Sequence, residues 1–321
     1  MSMDAALFID HPSGFLACTE RNCRFTVPGA RGFVSYREQG SHRVALGGVH
    51  CPEEEGGALL DAFLAATQAA SRKALFVQLP AHQVALFESR GATVNRLGST
   101  FALGLAGYTL RGTSKIALRN KMHRAERSGL RVAELGRDCA ATLEIRDAID
   151  AISKAWLRDK GGKELAFMVG VATDGNDSLR RTFVALDEAG SPAAFITYVP
   201  AWGRKAGYLH DLSRRRPEAA PGAMELINAF AIRRFQEENV GFLHFGFTPF
   251  VMTGEEPPSA SATMSKLSTL LYKHGRVVYP ARSQADYKRK WGCDLVEAEY
   301  VAGFPMSLGA VFALLRLTRA L

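Results

Sequence analysis

One order of strand-like and helical segments occurs twice along this chain, and that repetition restricts the fold more than any single motif does. Residues 15–48 hold short β-like runs, FLACT, RFTV, GFVSYRE and HRVALGG, parted by Gly, Pro and Asn breakers, which predicts an antiparallel meander. A helix follows in GGALLDAFLAATQAASRK, where Leu59, Phe63, Ala66 and Ala70 stand three and four apart. ALFVQL then reads as a buried strand, HQVALFESRG as a short helix closed by Gly91, and STFALGL as a last strand. In the second half, RTFVALDEAG and SPAAFITYVPAW predict a hairpin turning at Gly190, and KAGYLHDLS the next strand. A helix from Ala223 to Glu238 comes next, with Met224, Ile227, Phe230, Ala231 and Phe235 on one side, then the strand GFLHFGF. A Pro/Gly-rich loop, TPFVMTGEEPPSASA, is long enough to serve as a lid or an ordering segment. A helix near MSKLSTLLYKHG, a short RVVYP, the basic QADYKRKWG and a strand LVEAEYVAG complete the half. The expectation is a duplicated α/β fold.

Length and composition agree: 321 residues are enough for about two domains, and 47% hydrophobic residues supply packed cores. The net charge of +8 favours acidic partners, among them nucleic acid, anionic lipid and phosphorylated metabolites. Cys18, Cys23, Cys51, Cys139 and Cys293 are scattered, without a CxxC pair or a histidine at metal-ligand spacing, so they read as reduced thiols in a cytoplasmic protein, and no metal site is expected. The N-terminal MSMDAALFIDHPSG lacks the basic start and apolar run of an export signal, and no apolar stretch approaches the roughly 20 residues that span a bilayer. A membrane role would be peripheral.

Two segments concentrate positive charge. TSKIALRNKMHRAERSGL predicts a helix capped by Thr113 or Ser114 and ended by Gly129, with a narrow apolar stripe of Leu118, Met122 and Ala125. Arg111, Lys115, Arg119, Lys121, Arg124, Arg127 and Arg131 in and around it face only Glu126, which makes it either a solvated helix face or a phosphate-binding surface. The second segment, YLHDLSRRRPEAAPGAMELINAF, sets three arginines and two prolines before a helix start, where unsatisfied backbone N–H groups favour an anion. Strand, cationic loop and helix in that order are the layout of GNAT-type acyltransferases, whose helix start holds a cofactor pyrophosphate. Here Gly222 is the one glycine of RRRPEAAPGA, and Pro217 and Pro221 remove two N–H donors from such a cradle.

Five segments, YTLRGTSKIALRNKMHRAERSGLRV, AWLRDKGGKELAFMVG, LHDLSRRRPEAAPGAMELI, GFLHFGFTPF and DYKRKWGCDLVEAEYV, resemble in order and spacing the catalytic region of the lysyl/alanyl-phosphatidylglycerol synthases, the multiple peptide resistance factor family. The D-L-x-R pattern (Asp211, Leu212, Arg214), Pro221 with Gly222, the F-G-x-x-P segment (Phe245, Gly246, Pro249) and the aromatic-K-x-K-aromatic segment (Tyr287, Lys288, Lys290, Trp291) carry the likeness. It implies two tandem GNAT-like folds with mixed central sheets, residues 1–106 and 107–303, followed by a C-terminal amphipathic helix at 304–321. It also implies transfer of an aminoacyl group from aminoacyl-tRNA to an acceptor, typically a phosphatidylglycerol hydroxyl, without acetyl-CoA or another cofactor. Two features depart from the family's pattern: these 321 residues include none of its membrane-spanning flippase region, and HFGFTPF stands where members usually have a Leu-Gly-x-Ala-Pro-Leu-like run. The acceptor therefore stays open between the lipid and a small specialised metabolite, with an acyl-CoA-dependent N-acetyltransferase and a non-catalytic RNA- or membrane-binding protein as the competing classes.

Under this resemblance Asp211 would hold the aminoacyl ammonium or act as a base, Arg214 would clamp a phosphate, and Lys290 would stabilise developing negative charge. The bland reading of the first two is a salt bridge between Asp211 and Arg214. Glu164, Tyr208, Lys288 and Gly246 are expected at the substrate pocket, with Lys288 toward the surface. Lys115, Arg119, Arg124 and Arg127, with Arg215 and Arg216, would hold the tRNA through its phosphates. In FPMSLGAVFALLRLTRAL, the apolar residues Leu308, Val311, Phe312, Leu315 and Leu317 beside Arg316 and Arg319 predict a helix that lies on an anionic membrane surface or docks on its own core or a second subunit.

Overall fold

A computed structural model describes residues 7–159, 177–274 and 281–318. The first half supplies α1 (Gly14–Ala17), β1 (Cys23–Phe25), β2 (Val34–Gln39), β3 (His42–Leu46), α2 (Gly56–Ala69), β4 (Lys73–Pro80), α3 (Val84–Glu88) and β5 (Thr93–Gly104). The second supplies α4 (Ile116–Arg127), β6 (Arg131–Glu134), α5 (Leu143–Asp159), β7 (Arg181–Leu186), β8 (Pro192–Ala201), β9 (Gly207–Arg215), α6 (Ala223–Glu237) and β10 (Phe242–Pro249). Then come α7 (Ala262–His274), α8 (Ala281–Arg289), β11 (Leu295–Phe304) and α9 (Leu308–Leu317). In each half an antiparallel set of strands leads through a long helix, α2 or α6, into a parallel partner, so β3 pairs with β4 and β9 with β10 in parallel. These are two GNAT-like units of mixed strand direction.

The strands form one sheet in the order β1-β2-β3-β4-β11-β5-β10-β9-β8-β7-β6. The last strand of each unit crosses to the other: β5 pairs along β10, and β11 lies between β4 and β5. This reciprocal exchange makes the two units share their central strands.

The period-2 pattern of the strands sorts their side chains onto two faces. On one face, α2 and α3 bring Leu59, Leu60, Phe63 and Phe87 onto Val34, Phe76 and Tyr300, while α4 and α6 bring Leu118, Ala125, Leu226, Ile227 and Phe235 onto Phe183, Ile196 and Tyr198. On the other, α1 and α9 cover Val44, Leu46, Leu75 and Val77, and α5 sets Ile152 on Val184, Phe195 and Leu212. Each fully buried Leu or Phe contributes about 1.5–3 kcal/mol, which places most of the stabilisation in these layers.

The structure settles three segments. FLACT is the helical turn α1, because a short apolar run does not by itself distinguish a strand from a buried helix. The segment around QADYKRKWG is α8. The loop after β10 is tied to β5 and is no free lid: Glu256 accepts from the Arg96 guanidinium at 2.5 Å, the Ser99 hydroxyl bonds the Val251 carbonyl at 2.6 Å, and the Val94 N–H donates to Ser259 Oγ at 3.1 Å. RVVYP falls outside the described residues. The C-terminal helix α9 starts at Ser307, whose hydroxyl oxygen accepts from the Ala310 N–H at 3.2 Å. It docks on the chain's own sheet through Ala310 and Ala313, leaving Leu308 and Phe312 more than half exposed.

Candidate functional site

The parallel ladder of β9 and β10 is short, pairing only Gly207–Leu209 with Phe242–His244. Beyond it the strands part, and two local irregularities line the parting. In β9, Ser213 pairs with Ile196 and His210 with Tyr198, so Asp211 and Leu212 together oppose Thr197. Such a bulge turns two consecutive side chains to one face, here the α5 face. In β10, Gly246 has φ 75°, beside a register shift against β5.

On the α5 face, Asp211 forms an ion pair with Arg180, both side chains buried. Thr197 Oγ1 accepts from the Arg180 guanidinium at 3.3 Å and from the Leu212 N–H at 3.1 Å, which fixes the bulge. Arg214 is buried on this face, its guanidinium carbon 5.2 Å from the centre of the Trp156 ring on α5. The bulge thus brings Asp211 and Arg214 to one face, and Arg180, which the sequence reading did not single out, is a cation bonded to Asp211.

The opposite face, under α6 and α8, holds the lysines. Lys288 is buried, and its ammonium donates to the carbonyls of Gly246 at 2.7 Å and Phe247 at 2.9 Å. Burial pushes its pKa down to about 7. Lys290, just past α8, donates to Glu225 Oε1 at 2.7 Å and lies 3.9 Å from the centre of the Tyr287 ring. Burial lowers the Lys290 pKa against the opposing charge of Glu225. The expected surface position of Lys288 is therefore corrected. The segment is helical, so residues two apart point about 200° from each other, and Lys288 turns to the interior while Lys290 keeps a partly open position.

A polar chain runs inward from Lys290. Asn228 donates to the Tyr287 hydroxyl at 2.6 Å and accepts from the Tyr198 hydroxyl at 2.7 Å. His210 packs against Tyr198 and Phe245, with no hydrogen-bond partner for Nδ1 among the described residues. Enclosure, with the charge of Lys288, pushes its pKa down to about 3, so the ring is neutral at pH 7. Asn228 and Glu225 were missed in the sequence. Their signal was two polar residues three apart on the apolar side of α6.

The other expected residues divide. Tyr208 stacks on Phe235 at 4.5 Å and lies against the Arg181 guanidinium, under the end of α6, about 15 Å of helix from Glu225. Lys115 donates to the Lys290 carbonyl at 3.1 Å, and Arg119 to those of Leu110 at 2.6 Å and Gly112 at 2.8 Å. Arg215 closes its loop onto the Ala219 carbonyl at 3.0 Å, and Arg216 reaches Asp187 at 3.5 Å. Arg124 and Arg127 are exposed on α4. Glu164 lies outside the described residues.

Comparison with known proteins decides the family. Residues 6–303 match the family described as Phosphatidylglycerol lysyltransferase, C-terminal. The chain belongs to this family. The crystal structure of the C-terminal domain of a putative lysylphosphatidylglycerol synthetase from Agrobacterium fabrum matches with TM-score 0.79 at 21% identity, over 98% of this chain and 93% of that one. L-PGS from Bacillus licheniformis matches with TM-score 0.79 at 19% identity, over 97% and 93%. FemX matches with TM-score 0.53 at 8% identity, over 91% and 94%. Likeness at these identities is a likeness of fold. An uncharacterized protein of Corynebacterium glutamicum is 24% identical over 152 residues, covering 46% of this chain and 19% of that protein, so the chain spans about a fifth of that relative's length.

Proposed function

We propose that this chain transfers an aminoacyl group from aminoacyl-tRNA to a hydroxyl or amine, with phosphatidylglycerol the leading acceptor and a small metabolite the variant. The observation that carries the reading is the pairing of an acid–arginine group, Asp211 with Arg180 and Arg214, and a lysine group, Lys288 with Lys290, on the two faces of the parting between β9 and β10. In the reaction the acceptor oxygen or nitrogen bonds to the ester carbonyl carbon, a tetrahedral oxyanion forms, and its collapse breaks the bond to the ribose oxygen, which takes a proton. Asp211 suits the aminoacyl ammonium, Arg214 a phosphate, and Lys290 the oxyanion. The proton that the acceptor gives up is the one the ribose oxygen takes, and His210, its pKa pushed down to about 3 by burial, is too weak a base at pH 7 to hold it in between. Exposed Arg124 and Arg127 suit the RNA backbone.

No helix among the described residues is long and apolar enough to cross a membrane. The outward stripe of α9, Leu308 and Phe312 followed by Arg316, suits peripheral contact with the anionic surface that presents the lipid acceptor.

Single-turnover transfer from labelled aminoacyl-tRNA tests the assignment. Asp211→Asn and Lys290→Ala are each expected to slow transfer by about 100-fold or more, the scale of one lost charge-stabilising contact, while tRNA binding holds. Unchanged turnover in both variants would refute these roles.

A further inference from the structure

The start of α6 is crowded in a specific way. Gly222, its N-terminal neighbour, has φ 100°, and a Cβ placed there would lie 2.0 Å from the Lys121 carbonyl oxygen, so basic helix α4 abuts the end where backbone N–H groups face outward. A helix start of this kind favours an anion. The chain supplies one itself: Glu225, in the first turn, is buried, and its Oε1 accepts from Lys290 at 2.7 Å and Lys121 at 3.2 Å. Burial alone would raise the Glu225 carboxyl, but the hydrogen bond and charge of Lys290, its own backbone N–H and the charge of Lys121 outweigh that and hold it below the usual carboxylate range. Lys121 is mostly exposed on α4, whereas Lys290 lies against Tyr287, so one carboxylate joins the basic helix to the inner polar chain.

We propose that Glu225 is a positioning and donor-selecting residue: it fills the anion seat at the start of α6, fixes the Lys290 ammonium against the Tyr287 ring, and keeps the diphosphate of a coenzyme thioester out of that seat. Two features support exclusion as well as positioning. The carboxylate already meets the helix end that a phosphate would use, and α4 closes on the same point through Lys121. The proposal rests on the reading of an aminoacyl ester as donor, and its two measurements fail separately from that reading.

The first measurement is calorimetric titration of the full chain with inorganic pyrophosphate and with coenzyme A. Wild type is expected to bind neither detectably, and Glu225→Gln to bind pyrophosphate measurably, since one like charge is removed beside the seat. The second is the pH profile of kcat/KM for transfer from aminoacyl-tRNA. With Glu225→Gln, Lys290 loses the partner that favours its charged form, so the alkaline limb is expected to move about one pH unit lower, with kcat falling more than KM changes. Glu225→Asp, one methylene shorter, is expected to give intermediate values and serves where the glutamine variant does not fold. An unmoved alkaline limb, or coenzyme A binding by wild type, would overturn the proposal. If wild type transfers from no aminoacyl-tRNA, the donor reading falls, and the titration still decides whether Glu225 guards the seat.

Discussion

Lys288→Met replaces a buried amine by an apolar chain of similar length, and the consequence depends on pH. Lys288 is 6% exposed, its ammonium donates to the carbonyls of Gly246 at 2.7 Å and Phe247 at 2.9 Å, and its pKa is lowered from 10.5 to about 7. In the window between those values the unfolded chain binds the lysine proton and the folded chain does not, so this group makes wild type more stable as pH rises. At about 1.4 kcal/mol per pH unit, the contribution grows by roughly 3 kcal/mol between pH 7 and 9.5, with roughly 5 kcal/mol as the ceiling over the whole window. Lys288→Met lacks this contribution, while all other titrating groups cancel between the two proteins. Urea unfolding of both at pH 6.5, 8 and 9.5 measures the gap, which is expected to widen in favour of wild type toward alkaline pH. A gap that stays constant within about 0.5 kcal/mol would refute the reasoning, because a solvated, ordinary lysine produces none of this slope.

Other substitutions test separate parts of the structure. Gly222→Ala combines a left-handed backbone with a Cβ 2.0 Å from the Lys121 carbonyl, and is expected to cost about 2–5 kcal/mol in unfolding free energy; a melting curve equal to wild type would contradict the α4–α6 contact. Arg124→Ala and Arg127→Ala each are expected to lower the slope of log K against log salt for tRNA binding by about 1 without changing stability; an unchanged slope in the double variant would remove α4 as the phosphate surface. Phe312→Asp is expected to weaken retention on phosphatidylglycerol vesicles by about tenfold or more, on the scale of one buried aromatic, with an unchanged melting temperature; equal retention would leave α9 as a purely internal helix.

The sequence made the duplicated order of elements readable because helices α2 and α6 carry clear 3.6-residue periodicity and the strands between them are bounded by Gly and Pro. It did not reveal the exchange of β5 and β11. A strand's residues specify which face is buried, but not which of two similar edges it pairs with. The same limit hid the site. Whether Asp211 and Arg214 share a face depends on one extra residue opposite Thr197, and no residue type in HDLSRR announces that bulge. Lys288 reads as a surface residue because five residues are too few to separate a helical turn from an extended segment. Arg180 stands 31 positions before Asp211, and Lys121 stands 104 before Glu225, so only the folded sheet brings each pair together. The positive charge of α4 was legible, but not its division: Lys115 and Arg119 are spent on backbone carbonyls, and Arg124 and Arg127 face solvent.

The most direct measurement incubates the purified chain with a mixed pool of charged tRNAs, isotopically labelled acetyl-CoA and phosphatidylglycerol vesicles, with and without added small amines and alcohols, and reads every product by mass spectrometry. The expected result is an aminoacyl adduct on the lipid or on one soluble acceptor, with the acetyl label left in acetyl-CoA. An acetylated product, with every aminoacyl-tRNA untouched beyond its spontaneous hydrolysis, would contradict the assignment of this site to aminoacyl transfer.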